Sequence, residues 1–278
     1  MAIESPSATR TKAGAPAPEA GDGAASQPAD GAASGAAEPP GGSRSRIAAD
    51  AWIAHLREHL PIAREGTDPE GVHQLRIAAG RLDVWLRLGG MRVLRDDLRW
   101  LRRGAAGVRD LDVLLQRPQP APFAHALEQA RIEQRGVLER VLASPRLPAL
   151  IDALSSLSPL RRKRALKGLG RETAKVLRRG KKAVASGAPE DVHALRRAAR
   201  RLRYGREWLG LGSRALERLQ DELGAMADAA TLLRHLERCP AWDGAAELRS
   251  RAEAELERAR DEGLRRFRKL ARRLRAEV

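Results

Sequence analysis

The sequence predicts an all-α protein built as two four-helix bundles related by pseudo-two-fold symmetry about one central surface. Beyond residue 45, apolar residues recur with a helical period almost throughout, and strand signals are absent. Residues 69–82 are repeated at 189–202, with ten of fourteen positions identical. The connections between predicted helices are short, which favours antiparallel packing of successive helices. A repeat at this long period indicates a duplicated module, with repeat one over about 46–158 and repeat two over about 159–278.

The first 45 residues are set apart by their composition. They are rich in Ala, Gly, Pro and Ser, and they contain no apolar period that could repay the cost of ordering them. They are therefore predicted to be a disordered tail. They carry three basic and five acidic residues, so the whole cationic excess of a chain with formal charge +16 falls on residues 46–278.

Proline and glycine mark many of the predicted helix boundaries. Pro69 and Pro189 each open a copy of the repeat, at a first-turn position where proline is preorganised for helix, and a glutamate follows each of them. Pro61 is expected to end the first helix. The predicted helices cover residues 46–64, 69–88, 92–116, 121–143, 146–157, 159–185, 189–211, 213–238 and 243–277.

Two of these helices carry basic residues in rows. On a helical wheel of the second copy, His193, Arg196 and Arg200 fall on one side, and leucine, valine and alanine fill the other. The predicted helix at 159–185 carries a basic row that extends ~27 Å at ~1.5 Å per residue. Like charges at this spacing destabilise a helix, so we expect a bound polyanion to compensate them. The alternative is a solvated charged face.

The first copy of the repeated helix is the weaker one. Gly80 and Asp83 stand where the second copy has Arg200 and Arg203, so its affinity for an anion should be lower. The candidate anion-binding residues of both copies and of the helix at 159–185 are His73, Arg76, Arg81, Arg87, Arg164, Arg171, Lys175, Arg178, Lys182, His193, Arg196, Arg197, Arg200, Arg203 and Tyr204.

A possible metal motif precedes the first copy. His55-Leu-Arg-Glu58-His59 matches the His-x-x-Glu-His pattern of inverted zinc peptidases, whose spacing puts both imidazoles on one helix face. Pro61 follows at once, and no downstream acidic ligand helix is evident. We interpret the pair as surface histidines and predict no metal site.

Three aspartates could instead bridge a divalent ion to phosphate, but we expect Asp110, Asp112 and Asp228 to bind arginines such as Arg109 across helices. There is no Gly-rich phosphate loop and no catalytic Ser/His/Asp spacing, so no enzymatic activity and no cofactor are expected.

Cys239 is the single cysteine, which excludes a disulfide framework. No run approaches the ~18 apolar residues of a membrane span, and a secretion signal is absent, so we expect a cytoplasmic protein without a membrane partner.

Several of these features together resemble the CHAD family, the conserved histidine α-helical domain, over roughly residues 46–278. The first copy departs from the family pattern at Gly80 and Asp83. The features that carry the resemblance are the two His-x-x-Arg helices, the run Arg200-Arg-Leu-Arg-Tyr204 with Glu207, the Arg109-Asp110 segment and the Leu223-Gly224 segment.

The resemblance implies two four-helix bundles that meet at a basic groove or pore, and binding of inorganic polyphosphate at intracellular polyphosphate granules. Arginine forks suit phosphate oxygens. Among so many arginines, His73 and His193 are expected to be neutral at neutral pH, where they would donate without adding charge or simply pack between helices. Nucleic acid is the alternative polyanion, although aromatics at 3% of the chain disfavour base stacking. The oligomeric state is left open.

Overall fold

The computed structural model describes residues 46–276, and the predicted disordered tail at 1–45 lies outside them. The described residues are almost entirely helical, which confirms the all-α prediction. Two short strands, β1 (Arg46–Ile47) and β2 (Leu160–Arg161), pair antiparallel. The helices are α1 (Asp50–Glu65), α2 (Pro69–Leu88), α3 (Arg95–Gly104), α4 (Ala106–Leu115), α5 (Ala121–Ala143), α6 (Arg146–Ser155), α7 (Arg162–Ser186), α8 (Pro189–Trp208), α9 (Arg214–Leu236) and α10 (Ala245–Ala276).

The strand pair corrects the expectation of a chain without strands. Ile47 pairs with Leu160, and both side chains are buried. The fully buried Trp85 donates its indole N–H to the carbonyl oxygen of Ile47 at 3.0 Å. Strands of two residues are too short to show alternation in a sequence, so these tertiary contacts decide them. As a consequence, the flanking helices begin later than predicted, at Asp50 and Arg162.

The first helix continues through Pro61 to Glu65, so the expectation that Pro61 ends it was wrong. Leu60 and Ala63 are buried on either side of the proline, and their packing offsets the one backbone hydrogen bond that proline removes. The helix ends at Gly66, whose φ of 78° lies in the left-handed region that glycine adopts without strain.

The single helix predicted over 92–116 is in fact two helices, α3 and α4. Leu94 has a φ of 59°, which delays the start of α3 to Arg95. The break falls where α5 comes close, because a Cβ at Gly104 would lie 2.6 Å from Val141 Cγ2. This close approach depends on tertiary packing, so the local sequence pattern does not predict the break between α3 and α4.

The two copies of the repeated helix lie in the middle of the packing. α2 and α8 contact each other, α1 packs on α2, α7 packs on α8, α4 packs on α5, and α9 packs on α10. The main apolar core includes Leu75 and Leu82 of α2 together with Leu195 and Leu202 of α8. A smaller cluster surrounds Phe123. Within residues 46–276, no helix combines the length and apolar character needed to cross a membrane.

Candidate anion-binding site

α2 and α8 lie side by side, and side chains in the C-terminal halves of both helices hold them together. Trp208 donates its indole N–H to the carbonyl oxygen of Arg81 at 3.0 Å, and the Arg81 guanidinium forms an ion pair with Glu207. Gly80 of α2 lies against Tyr204 of α8, since a Cβ there would lie 3.4 Å from Tyr204 Cε2. The structure thereby brings basic residues of both copies into one region.

Arginines from α2, α3, α4 and α8 lie close enough to interact electrostatically. Two carboxylates, Asp110 of α4 and Asp228 of α9, lie among them. The arginines outnumber these two aspartates, so the region keeps an excess of positive charge although it is largely shielded from water. We call this set the central arginine cluster: Arg76, Arg102, Arg109, Arg196 and Arg200.

Arg76 and Arg196 occupy equivalent positions in the two copies, and their environments are alike. The pKa of Arg76 is lowered to about 10, mainly by burial and also by Arg102 and Arg200, while Asp110 opposes the shift. The pKa of Arg196 is likewise lowered to about 10, mainly by burial and also by Arg200, while Asp228 opposes the shift. Both guanidinium groups remain charged at neutral pH, but their surroundings disfavour that charge. A bound anion would remove the penalty.

The cluster also holds N–H donors that the protein does not use. The Nε atoms of Arg102 and Arg196 are buried and have no hydrogen-bond partner among the described residues. Arg76 Nη1 makes a long hydrogen bond of 3.4 Å to the carbonyl oxygen of Arg102. A buried donor without an acceptor is costly, and guanidinium forks match the oxygens of phosphate. These guanidinium groups therefore keep hydrogen-bonding capacity that an oxyanion could use.

Sequence reasoning missed Arg102 and His235. Arg102 lies beside Gly80, where a Cβ would be 3.8 Å from Arg102 Nε, an ordinary contact distance. The repeat aligns Arg102 with the uncharged Gln220, so comparison of the two copies does not single out Arg102 as a binding residue. His235 of α9 lies close enough to Asp110 to interact with it, and burial lowers its pKa. A residue of α3 thus supplies the arginine that the first copy lacks.

The second-copy histidine is neutral, as expected. Burial is the main cause that lowers the pKa of His193, and Arg196 and the exposed Arg197 lower it further. A hydrogen bond to the backbone of Pro189 uses the single N–H of the neutral ring. The other ring nitrogen can only accept at pH 7, so the ring must be protonated before it can donate to an anion. His73 is half-buried at the corresponding place on α2.

Arg81, Arg203 and Tyr204 belong to the contact between the two copies. The Arg81 guanidinium lies 4.3 Å from the ring centre of Trp52 and 4.5 Å from that of Tyr204. Arg203 Nε lies 3.5 Å from the Glu207 carboxylate, and its guanidinium lies 5.0 Å from the Tyr204 ring centre. Arg203 and Tyr204 are both buried. These three candidates therefore pack beside the central arginine cluster. Glu207 forms ion pairs with Arg81 and Arg203.

A buried carboxylate holds Arg87. Asp83 is only 2% exposed, and it accepts a hydrogen bond from Arg87 Nε at 2.7 Å and another from Arg95 Nε at 3.1 Å. The residue that departs from the family pattern thus pairs with two arginines and offsets one of their two charges. Arg87 is committed to this internal ion pair.

The basic row of α7 forms a separate surface. Its lysines already donate to carboxylates, Lys175 to Glu172 at 2.6 Å and Lys182 to Asp191 at 2.8 Å. The buried Glu172 also accepts from Arg201 of α8 at 3.3 Å. Among the described residues, the principal charged neighbours of the central arginine cluster come from other helices than α7. The arginines of the row are exposed: Arg164, Arg171 and Arg178.

The aspartates of α4 and α9 divide between two roles. Asp112 binds an arginine of another helix, as expected: Arg131 of α5 donates from Nε to Asp112 Oδ1 at 2.7 Å. Asp110 and Asp228 face the central arginine cluster instead. These two aspartates offset part of the positive charge of the cluster.

Known proteins share this fold. The CHAD domain model matches residues 47–237. The CHAD domain from the plant Ricinus communis has a TM-score of 0.63 at 20% identity, covering 80% of this chain and 93% of that one. PptA from Streptomyces chartreusis has a TM-score of 0.62 at 19% identity, covering 80% and 99%. No curated protein matches the sequence. The two structures support the fold alone, and the domain match, which spans more than half of the chain, shows that the protein belongs to the CHAD domain family.

Proposed function

We propose that the protein binds inorganic polyphosphate through the central arginine cluster and does not catalyse its turnover. The observation that carries the proposal is the partly buried excess of positive charge, with unused N–H donors at Arg102 and Arg196. Each phosphate of the polymer presents non-bridging oxygens that suit guanidinium forks. Membership of a family known in general to bind polyphosphate supports the same ligand.

The proposal includes a duplicated architecture, two bundles related by an approximate two-fold axis with their boundary near residue 158. The helix contacts support it, because α1 packs on α2 as α7 packs on α8, and α4 packs on α5 as α9 packs on α10. The charges support it as well, because Arg76 faces Asp110 as Arg196 faces Asp228. An axis passing near the contact between α2 and α8 would collect basic residues from both halves at one place.

An extended polymer would also contact surfaces outside the cluster. The exposed row of α7 extends ~27 Å along its helix, long enough to follow several phosphates. Contacts of this kind release counter-ions, so the affinity should fall steeply as salt rises. We assign the exposed row of α7 to steering and retention of the polymer, and the partly buried central arginine cluster to the strongest contacts.

The proposal assigns no reaction to the site. Arginines bind and orient an oxyanion without supplying a nucleophile, and we assign the histidines no covalent role. We propose a cytoplasmic protein associated with polyphosphate granules. Nucleic acid is the competing ligand, because its backbone presents phosphate oxygens to the same guanidinium groups.

The test is a double charge reversal, Arg196→Glu with Arg200→Glu, followed by titration with polyphosphate of defined length at ~0.15 M salt. The matched control reverses Arg268 and Arg272, two exposed residues of an open groove of about 480 Å³ on α10, and so makes the same change in net charge. We expect the central variant to lose more than about tenfold in affinity, beyond the ~1 kcal/mol of an exposed ion pair. We expect the control to lose much less.

Each other outcome has a defined meaning. Equal losses in both variants would show that net charge alone retains the polymer, and the site would be wrong. Arg196→Gln repeats the test if the double reversal disturbs folding. Duplex DNA that displaces polyphosphate at equal phosphate concentration would favour the nucleic-acid alternative. Shortening of the polymer after incubation with Mg²⁺ or Mn²⁺ would contradict a non-catalytic role.

A further inference from the structure

Away from the central arginine cluster, α1 carries three side chains with metal-ligating chemistry on one face. His55, Glu58 and His59 are spaced i, i+3, i+4, and one ligand atom of each lies within 4.8 Å of those of the other two. The centroids of the two imidazole rings are 4.2 Å apart. From sequence, Pro61 is expected to end the helix beside these residues, but α1 continues through it. The three side chains therefore project from a helix that extends beyond the group on both sides.

A hydrogen bond fixes the ring nitrogen of His59 that is available to a metal. His59 Nδ1 lies 2.9 Å from the carbonyl oxygen of His55. A carbonyl oxygen only accepts, so Nδ1 carries the proton and the lone pair of the neutral ring lies on Nε2. Histidines that ligate metals commonly donate their other ring N–H to a backbone carbonyl in this way.

A chain of side chains from α2 orients His55. Gln74 donates its amide N–H to the Glu70 carboxylate at 2.5 Å, so the amide oxygen of Gln74 faces His55. His55 Nε2 lies 2.9 Å from that oxygen and must donate to it, which leaves the lone pair of the neutral ring on Nδ1. Trp52 packs edge-on against the ring with centroids 5.0 Å apart, which restricts its rotation.

We propose that His55, Glu58 and His59 bind a divalent transition-metal ion such as Zn²⁺, Co²⁺ or Ni²⁺. Two imidazole nitrogens and one carboxylate oxygen form a donor set that these ions accept. Zinc–nitrogen bonds are ~2.0–2.1 Å long, so the ligand atoms must draw closer than they now lie, which requires the side chains to rotate when the ion binds. Three protein ligands leave a further position for water or an oxyanion.

The test uses the full chain, freed of phosphate and polyphosphate because these bind divalent ions themselves. Isothermal titration with Zn²⁺ should show one saturable site, and Co²⁺ should give a visible absorption spectrum of a nitrogen-ligated ion. His59→Ala should weaken Zn²⁺ binding at least tenfold, and Gln74→Ala should weaken it by about tenfold because it frees the His55 ring. The matched control is His125→Ala, an exposed histidine of α5, which should bind as the wild type does.

Absence of saturable Zn²⁺ binding by the wild type would overturn the proposal. So would unchanged affinity in His59→Ala, or an equal loss in His125→Ala. If a histidine variant unfolds, as circular dichroism would reveal, Glu58→Gln replaces it, since that side chain is exposed and its loss should still weaken binding. The readout is metal affinity, so it is independent of polyphosphate binding by the central arginine cluster.

Discussion

Neutralising Arg196 should make the ligand-free protein more stable, although it removes a long side chain from the middle of the structure. Burial and Arg200 lower the pKa of Arg196 from 12.5 to about 10. At ~1.4 kcal/mol per pKa unit, the surroundings disfavour the charged form by about 3 kcal/mol. Arg196→Gln removes that penalty and loses about 1 kcal/mol of apolar burial. The net gain of about 2 kcal/mol should raise Tm by about 4–8 °C for a domain of this size.

The assay is thermal unfolding followed by circular dichroism in buffer without phosphate. The matched control, Arg197→Gln, changes an exposed neighbour on the same helix and should alter stability by less than about 0.5 kcal/mol. Saturating polyphosphate should reverse the order of the Tm values, because the wild type then gains the stabilisation of a bound ligand. A lower Tm for Arg196→Gln than for the wild type, both without anion, would refute the reasoning, and so would an equal rise in the control.

Three further predictions follow from buried groups. Glu172→Ala leaves the charge of Arg201 without its carboxylate and should lower the free energy of unfolding by about 2–4 kcal/mol in urea titrations; a loss below about 1 kcal/mol would contradict the pairing. Burial lowers the pKa of His193, so the ring is neutral at pH 7 and a bound polyanion should promote its protonation. Polyphosphate affinity should therefore rise as pH falls from 7.5 to 5.5, and His193→Gln should flatten that rise; an undiminished rise would show that other groups titrate. Trp85→Phe removes the 3.0 Å hydrogen bond to the β1 carbonyl and should cost about 1–3 kcal/mol, whereas an unchanged urea midpoint would show that the bond contributes nothing.

Helices with strong local signals were predictable to the residue. α2 and α5 span residues 69–88 and 121–143, as the pattern predicts. Pro69 opens α2 at a position where its fixed φ suits the first turn, and a run of prolines precedes α5. The apolar face of α8 was also predictable, because Val192, Leu195 and Leu202 are all buried. Local conformation and periodicity were sufficient for these elements.

Elements that depend on distant contacts were not predictable. The break between α3 and α4 follows from the approach of α5 to Gly104, and the strand pair follows from the burial of Ile47 and Leu160. The continuation of α1 past Pro61 depends on packing around Leu60 and Ala63. Each of these outcomes is decided by a partner at least 20 residues away along the chain or by burial that a single helix cannot reveal.

The candidate site divides in the same way. The repeat singled out Arg76, Arg196 and Arg200, and the structure brings all three together. Arg102 aligns with the uncharged Gln220 of the other copy, so only the fold reveals that Arg102 belongs to the cluster. A helical wheel also could not show that Arg81 lies against two aromatic rings, because one of them belongs to α1.

A crystal structure with short-chain polyphosphate would decide where the polymer binds. We predict phosphate oxygens within hydrogen-bond distance of Arg76, Arg196 and Arg200, between α2 and α8. Polyphosphate bound only along the α7 row or in the α10 groove, with the central arginine cluster unchanged, would contradict the assignment.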